Sequence, residues 1–268
     1  SMTCRFGSAT GNTITVAPFR ATYVGTMRAT ANGLTEYSFG GGGSPGGTDA
    51  KLFVWNMYQR RAVGAIVRDD ANSWTYTTGT YQRYVQRVGA LRRTATPGMT
   101  ITLDSGTAHP VVVTIRVVNG VTTTGDTAAT NNENDRSVLA WVRFDLFDAL
   151  IGGDLSGART SSYRDVETPA AASMSQVELY KVHHHGSQHS SNDVWLAATA
   201  PMVGIISAGP ANVHGHPTTE ALARLHAANV RTYWTTAGAG AAQPVAGRDV
   251  VGGNIIVQVA PGSPAFTV

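Results

Sequence analysis

The sequence predicts an α/β layered domain, and two features of the chain indicate it. From about residue 135, apolar runs of strand length alternate with stretches of about 8–12 residues that carry helical patterning. Hydrophobic residues make up 42% of the 268-residue chain, which is enough for a sizeable core. We therefore expect a single domain over residues 1–268, with a loop or linker at residues 40–47, which read Gly-Gly-Gly-Gly-Ser-Pro-Gly-Gly.

The first half of the chain carries the weaker patterns. Residues 1–36 alternate β-branched and aromatic residues with polar ones, which predicts short strands. Residues 49–61 predict a helix capped by Thr48 or Asp49, and residues 62–67 predict either a buried strand or a continuation of that helix. The next expected elements are a helix at 81–88, strands at 99–103 and 111–118, and a Thr-, Ala- and Asn-rich loop at 120–134.

The second half alternates strands and helices more clearly. Residues 137–144 and 148–151 predict two strands, joined by a tight hairpin turn at 145–147. The elements expected after them are a helix at 166–173, a strand at 177–182, a helix at 192–198, a strand at 202–207, a helix at 218–228, and strands at 230–235, 254–259 and 266–268.

Composition leaves the class of partner open. The formal net charge of +3 permits nucleic-acid or phosphate partners without requiring them. Cys4 is the only cysteine, so an internal disulfide is excluded, and oxidising and reducing compartments both stay possible. No run approaches 18 uninterrupted apolar residues, so no membrane span is predicted. The segment after the glycine-rich loop, Thr-Asp-Ala-Lys at 48–51, is a poor match to a nucleotide-binding loop.

A cluster of histidines is the most informative feature of the chain. The apolar run 177–182 is followed by residues 183–187, which read His-His-His-Gly-Ser. Imidazole is the commonest protein ligand for transition metals, and a strand end is where an α/β sheet usually places its chemistry. On an extended backbone alternate side chains face opposite sides, so one or two of these histidines can reach a metal. The remaining one would carry a proton or make a structural hydrogen bond, Ser187 could hold a ring nitrogen, and His189 is expected to face solvent.

A carboxylate and two further histidines extend this candidate site. Asp154 follows an apolar run and two glycines; alone it suggests a turn aspartate, but beside the histidines it becomes a candidate metal ligand. His214 and His216 could contact a substrate or phosphate at the same sheet edge, or could cap helix 218–228, and both readings stay open. The remaining histidines and acids are expected to be non-catalytic: His109, His226, and the helix N-terminal charges Asp165 and Glu167.

Several motifs of the second half occur together in a known order. They are Asn-Asp-Arg-Ser at 134–137, Gly-Asp at 153–154, Lys-Val at 181–182 with His-His-Gly-Ser at 184–187, Ile-Ser at 206–207 with Gly209 and Asn212, Gly-His-Pro at 215–217, and Thr-Thr at 235–236. In order and spacing, residues 134–268 resemble the metallo-β-lactamase-like domain of the competence protein ComEC and its soluble relatives. A weaker resemblance reaches back through residues 97–100 to about residue 80.

The resemblance implies an αββα sandwich with a metal site at one sheet edge. In that family Zn²⁺ or Mn²⁺ activates water to cut a phosphodiester, so it implies a nucleic acid or a small phosphodiester as partner. Carried over, Asp154 would be the metal-bridging carboxylate and His184 a metal ligand. His185 and His216 would take catalytic roles, with His216 contacting the substrate or assisting with a proton.

The family's main metal motif, His-x-His-x-Asp-His, is missing from this chain. It is expected upstream of residue 80, yet the first histidine is His109, and Asp49, Asp69 and Asp70 are poorly placed substitutes. Three explanations stay open: a chain that begins after the motif, a degenerate member without catalysis, or a rebuilt first half with a mononuclear site. The functional alternatives are therefore a metal-dependent hydrolase, an inactive binding module of the same fold, or a chain that needs a partner for the missing ligands.

Overall fold

The structure of the chain, a computed structural model, describes residues 92–268 except 129–131, 211 and 241, together with Ala90 and five strands before it. Those five strands are β1 (Met2–Phe6), β2 (Thr13–Val16), β3 (Ala21–Val24), β4 (Leu52–Asn56) and β5 (Arg61–Val67). The loop or linker predicted at 40–47, the helix predicted at 81–88, and Asp49, Asp69 and Asp70 lie outside the described residues.

A mixed sheet forms the centre of the domain. Its strands are β7 (Thr100–Leu103), β8 (Val111–Val118), β9 (Val121–Thr122), β10 (Leu139–Phe144), β11 (Phe147–Ile151), β12 (Leu179–Lys181), β13 (Val203–Ile206), β14 (Arg231–Trp234) and β15 (Asp249–Val251). The order across the sheet is β15-β14-β13-β12-β11-β10-β8-β7, with β9 paired to β8. Strands β11 to β15 pair in parallel, whereas β7, β8, β9 and β10 pair antiparallel, as do β10 and β11.

Smaller sheets complete the described strands. Strand β16 (Ile255–Val259) pairs antiparallel with both β1 and β17 (Phe266–Thr267). Strands β2 and β3 form a two-stranded sheet, and β4, β5 and β6 (Arg92–Thr94) form a three-stranded one. Residues from opposite ends of the chain, Cys4 and Val257, therefore stand directly across from each other in one sheet.

Three short helices connect the parallel strands: α1 (Glu167–Ala171), α2 (Asp193–Thr199) and α3 (Thr219–Ala227). The side chain of Asn192 accepts a hydrogen bond from the backbone N of Trp195, which caps α2, and Ala200 ends it in a left-handed conformation, φ 35°. Thr218 caps α3 in the same way, through the backbone N of Ala221. These caps fix where each helix starts relative to the strand end before it.

The core lies on both faces of the central sheet, because successive strand residues point to opposite sides. Ala149, Leu179 and Ile205 face one side and pack with β16, whereas Leu150, Tyr180 and Ile206 face the other and pack with the helices. The helix face holds the largest buried side chains, which are Trp195, Trp234 and Tyr180. The result, over the described residues, is a layer of helices, the central sheet, and a second sheet behind it.

The predicted α/β class is confirmed, and most elements of the second half lie within two residues of their expected bounds. The helix expected at 49–61 is wrong, because the described parts of that segment are strands β4 and the start of β5. Residues 53–55, Phe-Val-Trp, favour a pleated strand over a helix, and this outweighed the capping signal at Thr48. Strand β15 was not predicted, since only two valines between glycine-rich turns mark it. The loop predicted at 120–134 contains the short strand β9.

Among the described residues, no helix is both long enough and apolar enough to cross a membrane.

The two leucines near the β10–β11 hairpin should respond differently to truncation. Leu150 is fully buried on the helix face of the sheet, whereas Leu146 is 60% exposed in the hairpin turn. We expect Leu150→Ala to lower the free energy of unfolding by about 2–5 kcal/mol, because it leaves a cavity. Leu146→Ala should change it by less than about 0.5 kcal/mol. Urea denaturation followed by tryptophan fluorescence measures both, and equal losses would contradict this packing.

Candidate metal centre

Parallel pairing of β11 and β12 brings the predicted carboxylate and histidines to one sheet edge. Ile151 and Lys181, the last residues of the two strands, stand directly opposite each other. The chain then continues to Asp154 after β11 and to His184 after β12. The backbone N of His184 donates a 3.0 Å hydrogen bond to the carbonyl of Gly153, so the two loops are tied together.

The closest approach within this cluster is between Asp154 and His185. The Nε2 of His185 lies 3.5 Å from the Oδ1 of Asp154. On the other side of the ring, Nδ1 lies 2.8 Å from the carbonyl oxygen of Ser207. A carbonyl only accepts hydrogen bonds, so Nδ1 must carry the proton, and Nε2 of the neutral ring presents a lone pair to the carboxylate.

The histidines are spread by a turn and not by the expected extended backbone. His184, His185 and Gly186 all have positive φ, at 47°, 57° and 78°. The side chains of His184 and His185 consequently lie on the Asp154 side, whereas His183 is fully buried against Glu167. The expected division, in which one histidine of the three makes a structural hydrogen bond, is what the structure shows for His183.

His216 brings a third imidazole to the cluster. Its ring centroid lies 5.2 Å from that of His184 and 6.4 Å from that of His185. The Nδ1 atoms of His184 and His216 are both buried and have no hydrogen-bond partner within the part of the chain that the structure describes. The Nε2 of His184 lies 3.4 Å from the side-chain nitrogen of Asn134, at the limit of a hydrogen bond.

Of the two interpretations left open for His214 and His216, the structure decides the helix cap, and contact with a substrate or phosphate stays a prediction. Helix α3 is capped by Thr218, so neither histidine is the cap. The ring centroids of His214 and His216 lie 6.1 Å apart, and the ring planes are nearly parallel. His214 is exposed and His216 is buried, so the pair runs from solvent to the cluster.

The charges around Asp154 favour its ionised form. Burial raises the pKa of the carboxyl, but the nearby positive groups outweigh it and hold the pKa below its usual range. In order of effect these are His185, His184, Lys181 and His216. Asp154 therefore stays a carboxylate at neutral pH and is available as an anionic ligand.

Burial lowers the pKa values of the bases around Asp154. Burial lowers the pKa of His184 to about 4, with the charge of Asp154 opposing it, and burial followed by repulsion from neighbouring histidines lowers that of His216 to about 4. Burial also lowers the pKa of His185, against the opposing charge of Asp154. Lys181 is lowered to a pKa of about 8 by burial, again opposed by Asp154. At pH 7 the cluster thus holds one anion, one cation and neutral imidazoles, which is the ionisation state that metal binding requires.

As arranged, these residues do not form a complete metal cage. Over the described residues, no three histidine, cysteine, aspartate or glutamate side chains are placed together so that they could hold one ion. Asp154 and His185 form a pair, and the ring centroids of His184 and His216 each lie 6.4 Å from that of His185. The roles of Asp154 and His184 as metal ligands, and of His185 and His216 in catalysis, stay predictions.

Three contacts of the site differ from the sequence expectations or were missed. The hydroxyl of Ser187 accepts a hydrogen bond from the backbone N of His189, and among the described residues it makes none with a ring nitrogen. His189 is partly buried and stacks on Tyr163, with centroids 4.5 Å apart, instead of facing solvent. No local pattern marked Tyr163. Glu167 begins helix α1 as expected, yet its side chain is 0% exposed.

The two histidines expected to be non-catalytic lie apart from this cluster in pairs of their own. His109 contacts Asp145 at 2.8 Å near the hairpin, and His226 contacts Asp249 at 2.8 Å beside the edge strand β15.

The depressed pKa values predict a loss of stability in acid for the metal-free protein. His184 and His216 titrate near pH 4 in the folded chain, against an ordinary value of 6.5. Between these values the unfolded chain binds protons that the folded chain does not, so the free energy of unfolding should decrease as the pH falls from 6.5 toward 4. Urea unfolding at a series of pH values tests this. His216→Asn should make the decrease shallower, and an unchanged pH dependence in that variant would contradict the expectation.

Comparison of the sequence with known proteins leaves the residues themselves as the basis for assigning this site. No protein-family model and no curated protein matches the chain.

Proposed function

We propose that the chain is a metal-dependent hydrolase with a metallo-β-lactamase-like fold that cleaves a phosphodiester, using Zn²⁺ or Mn²⁺ held beside Asp154. The layered α/β architecture and the position of the cluster at the carboxyl ends of parallel strands are consistent with this proposal. A single contact carries it: the lone pair of His185 faces the carboxylate of Asp154.

That contact needs a cation to be favourable. Two acceptor atoms 3.5 Å apart repel each other unless a proton or a metal ion lies between them. A second proton on His185 would supply the charge, but burial lowers the pKa of that ring and disfavours protonation near neutral pH. A divalent metal ion would satisfy both acceptors without protonating the ring, and a carboxylate with an imidazole is a ligand set that zinc and manganese accept.

The surrounding donors fit an ion of this kind. His184 and His216 each keep a buried Nδ1 that has no partner among the described residues, so the site has donor atoms to spare. A catalytic zinc normally has three protein ligands. Asp154 and His185 supply two. His184, whose charge acts on Asp154 more strongly than that of His216, is the candidate for the third. This keeps the expected role of His184 and adds His185 to the ligands.

The ion, Lys181 and His216 would each have a separate role in hydrolysis. When bound, the ion supplies Lewis acidity, which makes water a better nucleophile near neutral pH and offsets negative charge on a phosphoryl group. Lys181, whose charge acts on Asp154, contributes a cation that attracts an anionic substrate. The ring of His216 lies beside those of exposed His214 and of His184, so it would contact a substrate that enters past His214.

A second candidate is an inactive binding module of the same fold. It is favoured by the lack of three grouped ligands among the described residues and by the absence of any histidine before His109. A related possibility is that a second chain completes the ligand set. Both predict that the isolated chain does not turn over a phosphodiester.

Elemental analysis of the dialysed protein separates these candidates. We expect about one zinc or manganese ion per chain. Metal should be lost in Asp154→Asn, along with hydrolysis of bis(p-nitrophenyl) phosphate. Asp148→Asn is the matched control, since it removes a carboxylate of similar exposure from the preceding strand β11, 17% against 12%, and should keep both metal and activity.

A metal content near zero in the wild-type chain, even after zinc and manganese are added back, would exclude the autonomous hydrolase. Metal binding without turnover would favour the binding module. Turnover that appears only on adding a second polypeptide would favour the shared site.

A further inference from the structure

A second carboxylate–imidazole pair is formed by Glu167 and His183, the residue that immediately precedes His184. The Nδ1 of His183 lies 2.7 Å from the Oε1 of Glu167, and both side chains are 0% exposed. Neither residue belongs to the proposed ligands. Burying a carboxylate and an imidazole costs free energy unless both make hydrogen bonds. The groups that bond to Glu167 and His183 therefore show which parts of the chain the pair holds in place.

The carboxylate of Glu167 accepts hydrogen bonds from the backbone of the loop that precedes helix α2. Its Oε1 also accepts from the backbone N of Ser191, and its Oε2 accepts from the backbone N of Asn192, both at 2.7 Å. A Cβ at Gly157 would overlap the carboxylate, so only glycine fits there. Together with the Nδ1 of His183, these two backbone donors hold the carboxylate of Glu167 in place.

His183 is held equally firmly through its main chain. Its backbone N donates to the hydroxyl of Tyr180 at 3.0 Å, and its carbonyl accepts from the hydroxyl of Ser190 at 2.9 Å. The residue immediately before the proposed ligands is thus fixed at its backbone N, its carbonyl and its ring.

The turn that follows depends on that anchoring. His184 and His185 adopt left-handed conformations, which cost non-glycine residues roughly 1–2 kcal/mol each. Such conformations persist only where the surroundings enforce them. The enforcing contacts are the anchored His183 on one side and, on the other, the hydrogen bond from His185 to the carbonyl of Ser207.

The ring of His183 also sets the position of the loop that carries Asp154. A Cβ at Gly152 would overlap the Nε2 of His183 and would lie 2.8 Å from a methyl group of Leu139. The imidazole therefore occupies the space beside Gly152, two residues before Asp154. One ring contacts both loops that meet at the cluster.

We propose that Glu167 and His183 are positioning residues, which hold the left-handed turn and the Asp154 loop in the relative placement that lets Asp154 and His185 share one metal ion. The metal-binding part of this inference rests on the proposed function, whereas the positioning of the His185 ring does not. The pair acts through packing and hydrogen bonds and touches neither metal nor substrate.

Two substitutions at His183 separate the hydrogen bond from the bulk of the ring. Asparagine places its side-chain nitrogen close to the position of Nδ1, so His183→Asn can keep the donor to Glu167, whereas His183→Leu fills much of the space without one. The His226–Asp249 pair offers a matched control. It is also a carboxylate–imidazole contact, at 2.8 Å, with the aspartate side chain 0% exposed, and it lies on the edge strand β15, three strands from β12.

Two readouts are measured for the wild type, His183→Leu, His183→Asn and Asp249→Asn. The first is the imidazole region of ¹H–¹⁵N spectra of the metal-free protein, in which His185 should show a protonated Nδ1 and an unprotonated Nε2. The second is the zinc dissociation constant, measured by competition with a chelating dye. We expect His183→Leu to lose the single His185 tautomer and to weaken zinc binding by about 10–100-fold. His183→Asn should remain within about threefold of the wild type, and Asp249→Asn should leave both readouts unchanged even if it lowers stability.

The inference is overturned if His183→Leu keeps the His185 signals of the wild type, or if Asp249→Asn alters them as much as His183→Leu does. If the wild-type chain binds no zinc, the proposed function fails, and the metal-free spectra alone decide the positioning role.

Discussion

The candidate site depends on the parallel pairing of β11 with β12. Parallel neighbours end at the same edge of a sheet, so the loops after Ile151 and Lys181 must meet there. One register step would turn Ala149 and Leu150 to the wrong faces and would separate Asp154 from His185. The buried tryptophans and aliphatic residues on the two faces fix that register, so core packing determines the geometry of the polar cluster.

Burial gives the cluster its chemical character. The same exclusion of water that would neutralise an isolated Asp154 also keeps His184 and His216 unprotonated. The histidines and Lys181, in their charged forms, hold the pKa of Asp154 down, and burial lowers the pKa of His184 and His216 to about 4, so near neutral pH the carboxylate is ionised and these two imidazoles are neutral. An anionic ligand among neutral nitrogen donors is an environment prepared for a metal cation, whether or not catalysis follows.

The sequence predicted the second half of the fold well, because strand length, helix length and turn residues agree there. It placed Asp154 and the histidines at one edge from the order of the strands alone. It could not show that His185, and not His184, lies nearest to Asp154, since that depends on the left-handed conformations of both residues. It also could not show that Glu167 turns inward, because its position at a helix start is equally typical of a solvated charge. The helix expected near residue 50 failed because capping residues were given more weight than the β-branched and aromatic residues that follow.

The close packing of Gly152 against the ring of His183 has a consequence for how this site can change. A side chain at position 152 would occupy the space that the ring of His183 fills, although the two residues lie in different loops. A larger residue at 152 is tolerated only if 183 becomes smaller, and a smaller residue at 183 leaves a void that a side chain at 152 could fill. The two positions should therefore vary as a linked pair, and the free-energy effects of changing both should depart from the sum of the single changes.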